Sequence, residues 1–260
     1  MTTGPLNLKT APGHQILAAA GKTVLRPGGR AATEQLLNWA NFQPGETVLE
    51  LASSFGESAI AIARRFGVRV VGVEKNPESV ERSRQNIRAA GLESQIEIIE
   101  GDIFRLEEIP GEFDYVLAEA ILTLQSLPGK TKLVESIRKK LKTGGKFLSQ
   151  EMLVRDKEDE IHQVLAKVIR VNSSPLSLKR WQELYAQAGL QVQQTDGGGM
   201  ELLSLSQLIH DEGVGGTIRI AKNILTNPQL RERVLEMRRT YIKYQDELGY
   251  VTFCAIAHKD

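Results

Sequence analysis

The sequence predicts an α/β fold: a doubly wound, mainly parallel sheet of seven strands with helices on both faces. Short apolar runs alternate with segments whose apolar residues recur every three or four positions, the spacings of buried strands and amphipathic helices. Most runs are apolar throughout, as is typical of strands covered on both faces. Acidic residues follow several runs, at the strand ends where such sheets bind ligands. The seven predicted strands are residues 48–51, 70–74, 96–99, 113–119, 146–154, 190–195 and 250–257.

The first strand leads into a tight turn and then a helix. The turn reads Ser-Ser-Phe-Gly, and a helical period of apolar residues begins at Glu57 and ends at Gly67. A small-residue turn before a helix N-terminus presents free backbone N–H groups to a ligand. Glu50 adds a hydrogen-bond acceptor at the carboxyl end of the strand. Together these features predict a nucleoside-binding corner, although many α/β proteins have such a turn.

Polar residues also follow the next three strands. Glu74 ends the second strand, where a carboxylate can accept hydrogen bonds from both ribose hydroxyls of a nucleoside. Gly101 and Asp102 come directly after the third strand, and the fourth ends in small and polar residues up to Glu119. Because the carboxyl ends of parallel strands meet at one edge of a sheet, we expect these residues to lie along one cleft.

This series of strand-end residues resembles the class I S-adenosylmethionine (SAM) dependent methyltransferases over roughly residues 26–155. In that family the first strand ends in an acidic residue followed by three spaced glycines. Those positions read Glu50, Ala52, Ser54 and Gly56 here. Small residues still permit close approach of the backbone to a cofactor, although Ser adopts a positive φ less readily than Gly. The resemblance implies a Rossmann-like fold, SAM as the cofactor and no metal.

The resemblance also implies roles for individual residues. Glu74, with Lys75 beside it, would bind the ribose hydroxyls of SAM, and Asp102 would bind the adenine amino group. Ile103 would pack on the adenine face, and the Ala118 carbonyl would lie near the methionine amine. Glu50, Ala52 and Gly56 would complete the cofactor site.

No catalytic residue can be assigned from the sequence. Methyl transfer from a sulfonium is an in-line displacement that depends mainly on alignment, and a base is needed only when the acceptor is protonated. Glu119 and Glu151 follow strands and are candidates to contact the acceptor, although acids at strand ends are common. His210 is the best-placed candidate base among four histidines, although a surface histidine is the plainer interpretation.

Composition narrows the classes of function. The 33 Lys and Arg residues against 32 Asp and Glu give a net charge of +1, whereas nucleic-acid binders usually carry a clear basic excess. Cys254 is the single cysteine, which excludes internal disulfides and cysteine-based metal sites. No apolar run approaches membrane-spanning length, and no basic segment precedes an apolar one at the N-terminus. We therefore expect a cytoplasmic protein with no membrane span and no nucleic-acid partner.

Four regions are predicted along the chain. They are an N-terminal arm with a short helix at 1–25, a SAM-binding core at 26–200, a helical cap at 201–248 and a final edge strand at 249–260. The cap is predicted because the segment between the last two strands is far longer than an ordinary loop. Its helical pattern is interrupted near Gly213, and the glycines at 197–199 are interpreted as a break in the sixth strand and a hinge into the cap. A further turn at 26–29 precedes a helix predicted from Thr33.

The leading hypothesis is a SAM-dependent methyltransferase acting on a small, largely apolar molecule, resembling the ubiquinone/menaquinone-biosynthesis type. A non-catalytic SAM-binding module remains an alternative because Ala52 and Ser54 replace glycines. An NAD-dependent oxidoreductase is less favoured because the first turn lacks the glycines that let backbone approach a pyrophosphate. The nature of the acceptor and the oligomeric state stay open.

Overall fold

The computed structural model describes residues 7–258, and seven strands of this part of the chain form one sheet in the order β3-β2-β1-β4-β5-β7-β6. Strands β1 to β5 are parallel, and β7 is antiparallel to both β5 and β6. The doubly wound, mainly parallel sheet predicted from the sequence is therefore confirmed. The strands are β1 Thr47–Leu51, β2 Arg69–Glu74, β3 Ile96–Glu100, β4 Phe113–Glu119, β5 Leu141–Val154, β6 Leu190–Gly199 and β7 Leu248–Ala257.

Nine α-helices and two short 3-10 helices lie in the described part of the chain. The 3-10 helices are Ile103–Glu108 and Leu122–Leu124. The α-helices are α1 Gly13–Ala20, α2 Gly29–Ala40, α3 Glu57–Phe66, α4 Pro77–Ala90, α5 Leu127–Lys140, α6 Glu158–Ile169, α7 Leu178–Gln187, α8 Leu205–Thr226 and α9 Pro228–Lys243. None of these helices is long and apolar enough to cross a membrane.

Each face of the sheet is covered by its own helices. Side chains alternate along a strand, so Val48 packs with α2, α3 and α4 while Leu49 and Leu51 pack with α5 and α7 on the other face. Glu50 lies between Leu49 and Leu51 in sequence and therefore shares the face of Val48. Burial on both faces explains why these strands read as apolar runs.

A third apolar cluster forms the cap. Helices α1, α6, α8 and α9 bury their apolar sides against one another and against the ends of β5 and β7. The cap thus includes α1, which the sequence analysis placed in an N-terminal arm, and α6, which it placed in the core. Gly13 allows this close packing, because a Cβ there would lie 3.1 Å from both Ile169 and Met237. Residues 1–6 of the predicted arm and the last two residues of the region predicted at 249–260 lie outside the described residues.

The last strand is not at the edge of the sheet, and the prediction of a final edge strand at 249–260 is wrong. Strand β7 pairs on one side with β5, as in Met152 opposite Tyr250, and on the other with β6, as in Gly198 opposite Tyr250. The edge strand is β6. Nothing in the local sequence distinguishes the two, because strand order depends on pairing between distant segments.

The glycines at 197–199 do not break β6, as the sequence analysis expected. They pair with β7 in regular register. A Cβ at Gly197 would overlap the carbonyl oxygen of Tyr250, and one at Gly198 would lie 2.7 Å from the Tyr250 ring. Glycine is therefore needed here for close approach between strands, and the chain enters the cap only after Gly199.

Several element boundaries differ from those predicted. Helix α2 begins at Gly29 rather than Thr33, and β5 begins at Leu141 rather than at residue 146. The predicted interruption of the cap helix is confirmed: Gly213, inside α8, has φ 70° and ψ 171°. This conformation suits glycine and kinks the helix.

Candidate functional site

The turn between β1 and α3 contains three left-handed residues. Ala52, Ser54 and Gly56 have φ values of 55°, 49° and 76°. A left-handed conformation costs a residue with a Cβ about 1–2 kcal/mol. The turn is held by two backbone bonds, from Ser53 N to Val73 O at 3.0 Å and from Gly56 N to Ser53 O at 2.9 Å. The backbone shape for which glycine is best suited is thus retained after two glycine positions are replaced.

Glu50 lies beneath this turn. It is only 6% exposed, and the Ser53 hydroxyl donates to its carboxylate. Burial raises the pKa of Glu50 to about 7, and the nearby negative charge of Glu119 adds to this shift. The hydrogen bond from Ser53 joins Glu50 to the turn, and its role in cofactor binding stays a prediction.

Glu74 joins the turn to the next helix. One carboxylate oxygen accepts from Ser54 N at 2.9 Å and the other from Asn76 N at 2.8 Å. Asn76 in turn caps α4, accepting from Ser79 N at 3.0 Å. Each carboxylate oxygen has a further lone pair, so Glu74 keeps acceptor capacity for hydroxyl groups.

Asp102 follows β3 and forms an ion pair with Lys75. Lys75 Nζ lies 2.7 Å from Asp102 Oδ2, and Phe104 N donates to Oδ1 at 2.9 Å. The hydrogen bond from Lys75 lowers the pKa of Asp102, followed by the bond from Phe104 N. The Lys75 side chain is 78% exposed, so this pair contributes little to stability and a ligand can displace it. Ile103 begins the adjoining 3-10 helix and packs against the core.

Glu119 lies at the end of β4 within a polar cluster. Thr33 Oγ1 donates to it at 2.5 Å, and Arg26 Nε lies 3.1 Å away at ion-pair distance, although its N–H does not point along a hydrogen bond. With its amide oriented to satisfy both neighbours, Gln150 donates to Glu119 at 3.2 Å and accepts from Gly28 N at 2.5 Å. Glu119 and Gln150 are partners in register, so both side chains are on one face of the sheet.

The residues before and after Glu119 are constrained, one by burial and the other by its backbone conformation. Ala118 is fully buried, and Ala120 is a further non-glycine residue with positive φ, at 58°. Three of the six described non-glycine residues with positive φ, namely Ala52, Ser54 and Ala120, thus follow the adjacent strands β1 and β4. Concentrated backbone strain of this kind is typical of functional sites.

The turn at 27–29 joins the core to the cap. A Cβ at Gly28 would lie 2.7 Å from both Gln150 and Tyr250 in the sheet, and one at Gly29 would overlap Gln207 of α8. Asp211, also on α8, accepts from Arg30 N at 2.9 Å. The turn is therefore enclosed between the strand ends and the cap, beside Glu119.

Glu151 does not lie beside Glu119, and the structure places this predicted acceptor-contact candidate in the core. It is fully buried and accepts from Leu122 N at 2.9 Å, Thr123 N at 2.7 Å and Thr123 Oγ1 at 2.6 Å. Burial raises the pKa of Glu151 to about 7. Lys130, also buried, lies close enough to partly offset this shift, and burial lowers the pKa of Lys130 to about 8. Glu151 thus positions the loop after β4.

His210 is also not in the cleft. Its side chain is exposed on α8, whereas the next residue, Asp211, is buried against residues 22–30. Successive helix residues point about 100° apart, which separates the two side chains.

The sequence analysis missed three residues of the Glu119 cluster: Arg26, Thr33 and Gln150. Gln150 could have been identified from the sequence. Side chains alternate along a strand, so Gln150 lies on the face opposite Glu151. Arg26 and Thr33 flank a turn that the sequence did predict, but their contact with β4 depends on the fold. Among residues 7–258 no group of three or more His, Cys, Asp or Glu side chains is arranged to hold a metal ion.

Comparisons with known proteins agree with this geometry. A family model described as a methyltransferase domain matches residues 42–191. An uncharacterized protein of Haemophilus influenzae is 32% identical over 95% of this chain and 98% of its own length. Methyltransferase GfsG of Streptomyces halstedii is 23% identical over 89% of this chain and 81% of its own.

A solved structure shares the fold. The SAM-dependent methyltransferase of Thiobacillus denitrificans, in complex with S-adenosylhomocysteine, has a TM-score of 0.61 at 20% identity and covers 86% of this chain and 91% of that one. The chain belongs to the methyltransferase domain family. It is a SAM-dependent methyltransferase of class I.

Proposed function

We propose that this chain transfers the methyl group of SAM to a small, largely apolar molecule in the cleft between the strand ends and the cap. The observation that carries the proposal is the pair of carboxylates, Glu74 and Asp102, at the ends of adjacent strands beside a left-handed turn. These hydrogen-bond acceptors suit a nucleoside. Glu74 can accept from hydroxyl groups, and an ionised Asp102 can accept from an amino group.

A nucleoside bound by these two carboxylates gives the neighbouring residues their roles. Glu74 binds the ribose hydroxyls and Asp102 the adenine amino group, with Ile103 against the base and the left-handed turn in close approach to the cofactor. The methionine end of SAM carries both a carboxylate and an ammonium group. Arg26 and Glu119, which lie together at ion-pair distance, match those two charges, and the Ala118 carbonyl lies on the same strand.

When bound, SAM supplies an activated methyl group on a sulfonium centre. The residues of this chain then need to align the acceptor and exclude water. The turn at 27–29 and the cap close the cleft beside Glu119. Met152 and Tyr250, opposite each other at the ends of β5 and β7, support an apolar acceptor surface. Absence of nucleic-acid partners and a cytoplasmic location remain part of this proposal.

The proposal is tested by calorimetric titration of SAM into Glu74→Ala, Glu74→Gln and the parent. Hydrogen bonds to a charged acceptor contribute about 1.5–3 kcal/mol each, partly offset by water, so Glu74→Ala should weaken binding roughly ten- to several-hundred-fold. Glu74→Gln keeps one acceptor oxygen and should lose less. Glu97→Ala, an exposed acid on β3, is the matched control and should bind as the parent does. A folded Glu74→Ala protein with parental affinity would exclude the ribose assignment.

Acceptor class is tested separately with labelled SAM. Methyl transfer to apolar metabolites should exceed transfer to intact RNA or folded protein. Retained SAM binding without transfer to any metabolite extract would instead favour a non-catalytic SAM-binding module.

A further inference from the structure

We propose that the cap contains a second ligand site, a pocket for a short hydrocarbon chain that ends in an anionic group. The pocket is a cavity of about 200 Å³ between α1, α8 and α9. Its wall is mainly aliphatic and includes Leu17, Leu203, Leu208, Ile220, Ile224 and Val234. None of the residues proposed to bind SAM lines it, so it is distinct from the cofactor site.

The volume fixes the size of the occupant. Each water molecule in the liquid occupies about 30 Å³, and an apolar cavity of about 150 Å³ stays free of water but binds benzene. A pocket of this volume with a mainly aliphatic wall therefore suits a chain of roughly six to eight carbons. Leu205, 64% exposed, also lines the pocket and places its mouth at the surface of the cap.

Charge fixes the chemistry of the head group. Two cations contribute to the wall, Lys22 and Arg238. Lys22 Nζ is already paired with Asp211 at 3.3 Å and Glu212 at 3.6 Å, and all three side chains are buried. Arg238 is exposed and forms no ion pair with any other residue of 7–258. Its planar guanidinium can donate two parallel hydrogen bonds to a carboxylate or phosphate.

Both halves of the kinked helix α8 contribute to the pocket. Leu205 and Leu208 precede Gly213, and Ile220 and Ile224 follow it. A chain seated there contacts both halves at once. Apolar contact holds the chain in this arrangement, and Arg238 selects its charged end.

The test uses octanoate and 1-octanol as probes, titrated into the full chain by calorimetry. Octanoate should bind to the parent roughly two- to five-fold more tightly than 1-octanol, the range of a solvent-exposed ion pair. Arg238→Gln should reduce octanoate affinity to that of 1-octanol and leave 1-octanol affinity unchanged. Arg239→Gln, the adjacent exposed arginine that does not line the pocket, is the matched control and should behave as the parent does.

A second variant tests the pocket itself. Ile224→Trp places a larger side chain in the cavity and should abolish binding of both probes, while SAM affinity stays at the parental value. Undiminished octanoate binding to Ile224→Trp, or equal loss in Arg239→Gln and Arg238→Gln, would overturn the proposal. So would competition between octanoate and SAM, since the probe would then occupy the cofactor site.

Discussion

Two glutamates, Glu50 and Glu151, are buried near the carboxyl ends of β1 and β5. Each has a hydroxyl partner, Ser53 for Glu50 and Thr123 for Glu151, yet burial dominates and raises the pKa of both to about 7. Burial of a charge is costly, and the neutral acid avoids that cost. The sequence indicated acids at strand ends but not that these two are buried.

The raised pKa of Glu50 predicts how stability depends on pH. The unfolded group has a pKa near 4.5 and the folded one near 7, so the folded protein holds the extra proton between these values. The contribution of Glu50 is complete below about pH 4.5 and is lost as the pH rises through 7. Glu50→Gln cannot ionise, so its stability relative to the parent should increase by roughly 3 kcal/mol between pH 5 and pH 8.

Urea denaturation of the cofactor-free proteins at pH 5, 6, 7 and 8 measures this difference. Glu97→Gln, at an exposed position on β3, is the control and should show a pH-independent difference from the parent. A pH-independent difference for Glu50→Gln would show that the carboxylate is ionised in the fold throughout this range.

The residues near the cleft divide into those that the sequence could predict and those that it could not. Glu74 and Asp102 were recognisable because each directly follows a strand, a local pattern. The partners of Glu119 were not recognisable, because Arg26, Thr33 and Gln150 reach it from three separate elements. That contact depends on strand register and on where α2 packs.

At the scale of elements, features that depend on neighbouring residues could be predicted from the sequence, whereas pairing between distant segments could not. Asn76 and Ser177 cap α4 and α7, which is a local pattern because a cap needs only a few neighbouring residues. Runs of glycine often end a strand. The glycines at 197–199 instead lie inside β6, because Tyr250 packs closely against Gly197 and Gly198. Tyr250 is about 50 residues away, beyond the reach of a local pattern.

This interpretation of β6 predicts unequal effects of two adjacent substitutions. Gly197→Ala places a methyl group against the Tyr250 carbonyl and should destabilise the protein by about 2–4 kcal/mol. Gly199→Ala is the matched control, because the nearest atom to its Cβ would be 4.0 Å away in the flexible Glu201 side chain. Its effect should stay within about 0.5 kcal/mol. Equal denaturation midpoints for the two variants would contradict a steric role for Gly197.

For the whole molecule, a set of polar contacts joins α8 of the cap to residues 22–30, here called the cap–core network: Lys22, Thr23, Arg30, Asp211 and Glu212. Glu212 accepts from Thr23 N at 2.9 Å and Val24 N at 3.0 Å, and Arg30 Nε donates to the Asp211 carbonyl at 2.6 Å. The sequence predicted a cap from the length of 201–248. It did not predict α1 and α6 as part of the cap, because an amphipathic pattern does not identify the partner of an apolar face.

The cap–core network predicts where the molecule opens first. Asp211→Asn weakens the pair with buried Lys22, so hydrogen exchange should accelerate in residues 22–30 and in α8 before Gly213. Exchange in β1, deep in the sheet, should not change. Glu232→Gln, an exposed acid on α9, is the control and should leave both regions unaffected. Acceleration in β1 equal to that in α8 would indicate global destabilisation instead of local opening.

The position of β7 between β5 and β6 has a consequence during synthesis. Within residues 7–258, strand β6 pairs only with β7, and residues 200–247 must be made before β7 follows. At about 5–20 residues per second, β6 waits several seconds without its partner. An unpaired apolar strand would bind other chains in that time. Most of β6 is polar or glycine, with Asp196 at its centre, which suits a strand that is exposed on the ribosome before the sheet can close.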